Sequence, residues 1–180
     1  HLVVDDGHRL GNGCSGITYC ATMQGDGQDR KVAVKTFFML QNPTLYGFDT
    51  AEAVHAFVES ELMDEINTLL NLRHRNIVHL DCIGLQRIYG ELVPSYIAMD
   101  FCDGGTLESW LRDGRMTDCH LLPFSQNLVD AMIYLHCTVN LIHRDLKPAN
   151  IFVKQNSDGS FRLVVGDLGM AKVLKHKHAT

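Results

Sequence analysis

The sequence lacks a CxxC pair, an internal repeat, an excess of positive charge and any run of about 18 apolar residues, the length a membrane-spanning helix needs. Each absence removes a class. The six cysteines, Cys14, Cys20, Cys82, Cys102, Cys119 and Cys137, are scattered, which suggests neither a zinc site nor a disulfide framework. Free thiols in a reducing compartment are expected instead, so an intracellular, cytoplasmic protein is the reading. No membrane segment is expected. No charged-then-apolar leader opens the chain, but His1 and Thr180 look like arbitrary ends, so that absence excludes little. A formal net charge of −5 argues against general nucleic-acid binding.

What is present is ordinary for a folded chain. The 180 residues suffice for one domain with a core, at 46% hydrophobic and 21% charged. The first third reads as strands. Residues 9–23 turn through glycines into a β-branched run, residues 25–27 (Gly-Asp-Gly) signal a hairpin, and residues 31–38 alternate. Period two puts Val32 and Val34 on one face and Ala33 and Lys35 on the other. Asp49 with Glu52 fits a capping box. The stripe Val54, Phe57, Val58, Leu62, Ile66, Leu69 then predicts one long helix. Residues 76–85 and 94–101 read as two more strands. After residues 103–105 the character changes, with helices over 106–114 and 123–138 and a hairpin over 150–165 around Asp158-Gly159.

Four places carry chemistry. Gly11, Gly13 and Gly16 fit G-x-G-x-x-G. That spacing suits a flexible hairpin, or a loop whose backbone N–H groups lie over phosphates. A dinucleotide fold needs a helix after the third glycine, and Ile17-Thr18-Tyr19 favours a strand. Lys35 is a solvated strand lysine, or the partner of Glu65, whose place in the apolar stripe costs several kcal/mol unless the carboxylate is paired. Glu61 competes for that pairing, and a solvent-facing Glu65 is the plain alternative. The third place is LIHRDLKPANIFV, residues 141–153, a polar knot between apolar brackets. Asp145, Lys147 and Asn150 form either a structural hydrogen-bond network or a site. In the latter, a carboxylate orients a hydroxyl, a lysine holds transferring charge and an amide holds a cation. Asp167, at a strand end before Leu168-Gly169, is a turn aspartate or a metal ligand.

Taken in order, Gly11-x-Gly13-x-x-Gly16, VAVK (32–35), HRDLKPAN (143–150) and DLG (167–169) resemble the eukaryotic protein kinases, from residue 10 to residue 172. The resemblance implies an α+β, bilobal fold: a strand-rich small ATP-binding lobe over 1–102 with one long helix, and over 103–180 the beginning of a mainly helical large lobe. It implies ATP and magnesium as cofactors and a protein as substrate. The glycines would cover the phosphates. Lys35 would hold the α- and β-phosphates and pair with Glu65. Asp145 would take or orient the proton of the substrate hydroxyl, and Lys147 would sit by the γ-phosphate, as in serine/threonine kinases. Asn150 and Asp167 would hold magnesium. Leu10, Thr18, Ala33 and Phe152 would line the adenine and ribose, Met99 would be the gatekeeper, and Asp100 to Cys102 the hinge. Arg144 and Lys172 would receive an activating phosphate, with Thr180 as one candidate acceptor.

Departures from the family pattern are Thr18 for valine, Leu168 for phenylalanine, and a long stretch between Lys35 and Glu65 with a loop at 39–49. The chain also stops soon after DLGMAK, which reads as a fragment of a kinase domain, expected to be inactive alone. An active serine/threonine kinase is the first reading. A pseudokinase or scaffold that keeps the fold and binds partners is the alternative.

Overall fold

A computed structural model of the chain describes residues 2–12, 16–25, 28–168 and 171–173, with the side chains at 4–8, 61, 64, 65, 172 and 173 outside the description. By packing, the α+β chain divides into two compact units: residues 1–70 with 79–101, and residues 71–78 with 102–180.

The first unit is built on a five-stranded antiparallel sheet of β1 (Leu2–Asn12), β2 (Gly16–Met23), β3 (Arg30–Phe37), β4 (Leu80–Ile88) and β5 (Glu91–Asp100), in the order β1-β2-β3-β5-β4. The predicted alternation of β3 holds. Val32 and Val34 pack with Ala21 and Ala98 in a buried cluster, while Ala33 and Lys35 are half-buried. β1 begins at Leu2, earlier than its mixed polar sequence suggests, and its register against β2 shifts between Val4 and Arg9. The stretch expected to be a loop carries a short helix α1 (Phe38–Gln41) and a 3-10 turn at Pro43–Tyr46. It is tied down, since Gln86 Nε2 donates to the Leu40 carbonyl at 3.1 Å and the Phe48 and Phe57 rings lie 5.0 Å apart.

The long helix is two α-helical pieces, α2 (Ala51–Phe57) and α3 (Met63–Asn71), joined by a π turn at Val58–Leu62. Its cap is Thr50, not Asp49: the Thr50 side chain, on extended backbone, accepts from the Ala53 N–H at 3.2 Å. Val54, Val58, Leu62, Ile66 and Leu69 are buried as the stripe predicts. The π turn has a physical reason. Four steps of an α-helix overshoot one turn by about 40°, so a strict four-residue repeat drifts off its face, and a wider turn brings it back.

The second unit holds a three-stranded sheet of β6 (Gly105–Thr106), β8 (Ile151–Gln155) and β9 (Phe161–Val165), in the order β6-β8-β9. β7 (Leu141–Ile142) pairs with β10 (Lys172–Val173). The predicted hairpin is therefore present, paired from Ile151–Val165 to Gln155–Phe161. Residues 76–78, expected to open a strand, instead bond to β9: the Val165 N–H donates to the Asn76 carbonyl and the Val78 N–H to the Val165 carbonyl, both at 2.8 Å. Helix α4 (Leu107–Arg112) is capped by the Thr106 hydroxyl on the Ser109 N–H at 3.1 Å. Helix α5 (Asp118–Ile133) starts before the predicted residue 123, and Pro123 sits inside it. Being near the N-terminal end, that proline removes one backbone bond without ending the helix.

The core of this unit gathers around Trp110, 4% exposed, with Phe124, Ile151, Val153 and Leu163. Its indole N–H donates to the Gly104 carbonyl at 2.8 Å, and the Phe161 ring meets it edge-on at 4.9 Å. Trp110→Ala removes the packing and the shorter of the two bonds to that carbonyl, leaving only Arg115 Nη2 at 3.3 Å. The expected result is a loss of about 3–5 kcal/mol in urea unfolding of the second unit. A loss under about 1 kcal/mol would mean the cluster is not its core.

Candidate active site

The loop between β7 and β8 is held from below by His143, 2% exposed. The Asp145 N–H donates to His143 Nδ1 at 3.3 Å, so the ring proton lies on Nε2, which donates to the Gly166 carbonyl at 2.9 Å. One imidazole thus ties the loop to the end of β9. A second tie runs the other way, from the Gly166 N–H to the Asn150 carbonyl at 3.0 Å. Gly166 admits no larger residue without movement, because a Cβ there would lie 2.7 Å from the Phe152 ring and 2.8 Å from Val78.

On this frame Asp145, Lys147 and Asn150 come together. Lys147 Nζ donates to Asp145 Oδ2 at 2.7 Å. Asn150, 6% exposed, donates its amide to both the backbone carbonyl and Oδ2 of Asp145, each at 2.9 Å. The bond from Lys147 lowers the Asp145 carboxyl most; desolvation opposes it, and the bond from Asn150 helps keep the net shift below the usual carboxylate range. Asp145 is therefore an ionised, oriented acceptor at neutral pH. Asp167 follows Gly166 with an exposed side chain and φ of 55°, while Leu168 behind it is buried. Arg144 has φ of 68° and an exposed side chain.

These atoms suit a hard cation. Asn150 spends its amide N–H donors on Asp145, which leaves its side-chain oxygen as the atom to offer. Asp167 adds a carboxylate, and the Gly166 tie joins the two backbones. Oxygen-only donors of this kind, few in number, fit magnesium that keeps most of its water.

The first unit brings its own set together. Thr18 lies opposite Lys35, and Lys35 opposite Ile97; Cys20 lies opposite Ala33, and Ala33 opposite Met99. Directly paired residues share a face, so Thr18, Ala33, Lys35 and Met99 share the face opposite the Val32–Val34 cluster. Lys35 Nζ lies 5.9 Å from the centre of the Phe37 ring. Leu10 and Gly11 are exposed near the end of β1. Gly16 opens β2 so close to β3 that a Cβ would lie 1.6 Å from the Thr36 carbonyl oxygen, which makes it irreplaceable there. The Asp100 N–H donates to the His79 carbonyl at 3.0 Å. In the second unit, Cys102 accepts at its carbonyl from the Gly105 N–H at 3.3 Å, and Phe152 lies opposite Thr106 and Val164.

Gly13, Thr180 and the side chains of Glu61, Glu65 and Lys172 lie outside the described residues. The cysteines other than Cys14 are free thiols, and no described helix is long and apolar enough to cross a membrane. Two residues of the site carried no role in the sequence reading, His143 and Gly166. A histidine directly after an apolar pair, next to a charged run, was the available signal for the first. Nothing local marks the second.

Residues 4–180 match the family model described as protein kinase domain. Similar curated proteins include a probable serine/threonine-protein kinase zyg-1 of Caenorhabditis briggsae, 27% identical over 91% of this chain and 20% of that protein. The serine/threonine-protein kinase PknJ of Mycobacterium tuberculosis is 30% identical over 77% of this chain and 24% of its own length. The serine/threonine-protein kinase DCLK1 of Rattus norvegicus is 33% identical over 64% of this chain and 26% of its own. The chain thus spans about a quarter or less of the length of these relatives.

Proposed function

Because the chain belongs to the protein kinase domain family, we propose that the protein it comes from transfers the γ-phosphoryl group of ATP to serine or threonine hydroxyls of protein substrates. The observation that carries this is the grip on Asp145: a depressed carboxylate fixed by Lys147 at 2.7 Å and by Asn150 at 2.9 Å. Phosphoryl transfer needs little covalent chemistry from the protein and much positioning and charge neutralisation. Asp145 orients the substrate hydroxyl and accepts its proton. Lys147 neutralises charge beside it, and its place two residues on favours serine/threonine over tyrosine substrates. Asn150 and Asp167 hold magnesium, which supplies charge neutralisation at the phosphate oxygens. Residues 1–102 act as the ATP-binding lobe, with Gly11, Gly13 and Gly16 over the phosphates, Lys35 on the α- and β-phosphates and Glu65 orienting Lys35. Leu10, Thr18, Ala33, Met99, Asp100, Cys102 and Phe152 enclose the base and sugar. Residues 103–180 contribute the catalytic loop.

The test is an assay of the full-length protein with radiolabelled ATP and mixed protein substrates, followed by phosphoamino-acid analysis. Phosphoserine or phosphothreonine is expected. Lys35→Met should lower the rate by about a hundredfold, the usual effect of removing one group that stabilises developing charge. Wild-type rates in that variant would take Lys35 out of the site.

The pH dependence has a definite sign. A lowered pKa keeps Asp145 ionised as pH falls, and activity is lost only when pH passes down through that depressed value. The acid limb of the kcat/KM profile should therefore lie below the ordinary carboxylate range. Lys147→Met removes the main cause, so the limb should move upward. An unmoved limb would show that Asp145 does not govern it.

A further inference from the structure

The second unit has a pocket of about 540 Å³ between the start of α5, the β8–β9 hairpin and residue 75, well away in sequence from the loop that carries Asp145. Its polar lining is one-sided. Asn127 Oδ1 accepts from the Leu163 N–H at 2.8 Å, which fixes the amide and leaves Asn127 only its NH2 group. Asn156 Oδ1 is taken by Arg162 Nη1, and Asn156 Nδ2 donates to Ser160 Oγ at 2.8 Å. Arg162 is further braced by its Nε on the Arg75 carbonyl at 3.4 Å. The side-chain oxygens of Asn127 and Asn156 are thus each engaged within the protein. The donors left are the Arg75 guanidinium, the remaining Arg162 nitrogen and the Asn127 amide.

No carboxylate lines the pocket, and neither guanidinium meets one among the described residues. The nearest carboxylate along the hairpin, Asp158, is occupied by the Ser160 N–H at 2.9 Å and hydroxyl at 2.6 Å. The remaining wall is mainly apolar, made by Pro123, Phe124, Phe161 and the Cys119 side chain, with His120, whose Nδ1 accepts from the Thr117 N–H at 3.2 Å, and Ser160 at its edge. Two arginines and an amide facing an apolar wall complement a carboxylate next to a hydrophobic side chain. The volume suits a few residues rather than a small ion.

We propose that this pocket docks an acidic peptide segment of a partner protein, with carboxylates on Arg75 and Arg162 and an apolar side chain on Pro123 and Phe161. The proposal uses none of the residues assigned to phosphoryl transfer and stands or falls apart from it.

The test measures fluorescence anisotropy with the full-length protein and a labelled hexapeptide that alternates glutamate with leucine. Its probes for comparison replace glutamate by glutamine, or leucine by serine. The glutamate–leucine peptide should bind more tightly than either, and more weakly as salt rises. Arg75→Ala, at an exposed position, should weaken it by about tenfold, the effect of one lost charge-assisted hydrogen bond. Arg87→Ala removes the same charge from the other unit and should change nothing, and melting curves confirm that both variants fold. Equal binding of the glutamine peptide, or equal loss in Arg87→Ala, would overturn the proposal. So would equal binding of the glutamate–serine peptide with full displacement by inorganic phosphate, which would mark a site for simple anions.

Discussion

Asp145→Asn should lower kcat of the full-length protein in the proposed phosphoryl transfer by about three orders of magnitude, within the range that proton transfer by a positioned group supplies, while the melting temperature stays close to wild type. The expectation follows from what each atom does. Asparagine has nearly the shape of aspartate, and its side-chain oxygen can still accept from Lys147 or Asn150, as Asp145 Oδ2 does now at 2.7 Å and 2.9 Å. The loop remains tied through His143 to the Gly166 carbonyl and through Asn150 to the Gly166 N–H. What disappears is the negative charge and the capacity to take a proton. The KM for ATP should therefore move little while kcat collapses, since the lost interaction belongs to the transition state. A variant that keeps a rate within about twofold of wild type would remove Asp145 from the chemistry and favour a scaffold over an enzyme.

The second large effect is expected at Asp167. With φ of 55°, this position lies in the left-handed region, where asparagine is tolerated and alanine is strained. Asp167→Asn is therefore the cleaner variant: it keeps shape and backbone and removes only charge. If Asp167 supplies the carboxylate of a magnesium site, turnover should fall by about a thousandfold, several kcal/mol of lost charge stabilisation. The magnesium concentration for half-maximal rate should also rise. The second readout separates a ligand from a turn residue, because a mere turn aspartate leaves magnesium dependence where it was. Unchanged magnesium titration in Asp167→Asn would end the metal assignment.

Much of the architecture was legible where periodicity and chemistry agree. Val32 and Val34 against Ala33 and Lys35, the stripe from Val54 to Leu69, and the hairpin around Asp158-Gly159 are local patterns that packing then respects. The cap was missed by one residue because Asp49 and Thr50 are both competent, and only the backbone decides which oxygen reaches an N–H. The π turn was hidden because four-residue spacing looks helical until its drift is counted. Residues 76–78 look like the start of β4, but their backbone bonds go to β9, a choice made by residues almost ninety positions away. The loop chemistry of Asp145, Lys147 and Asn150 was readable as a cluster of types. Its geometry was not, since His143 and Gly166 create it across more than twenty residues.

Four non-glycine residues among those described have positive φ, and two of them, Arg144 and Asp167, stand beside the proposed catalytic and metal-holding groups. A side chain such as arginine costs about 1–2 kcal/mol there, and the short polar aspartate costs less. Glycine would relieve that cost at either place. A laboratory selection for heat resistance alone would thus reward Arg144→Gly and Asp167→Gly, and would enrich chains that fold better and catalyse worse. Thermostabilising this domain without erasing it requires that both positions be frozen before the library is made.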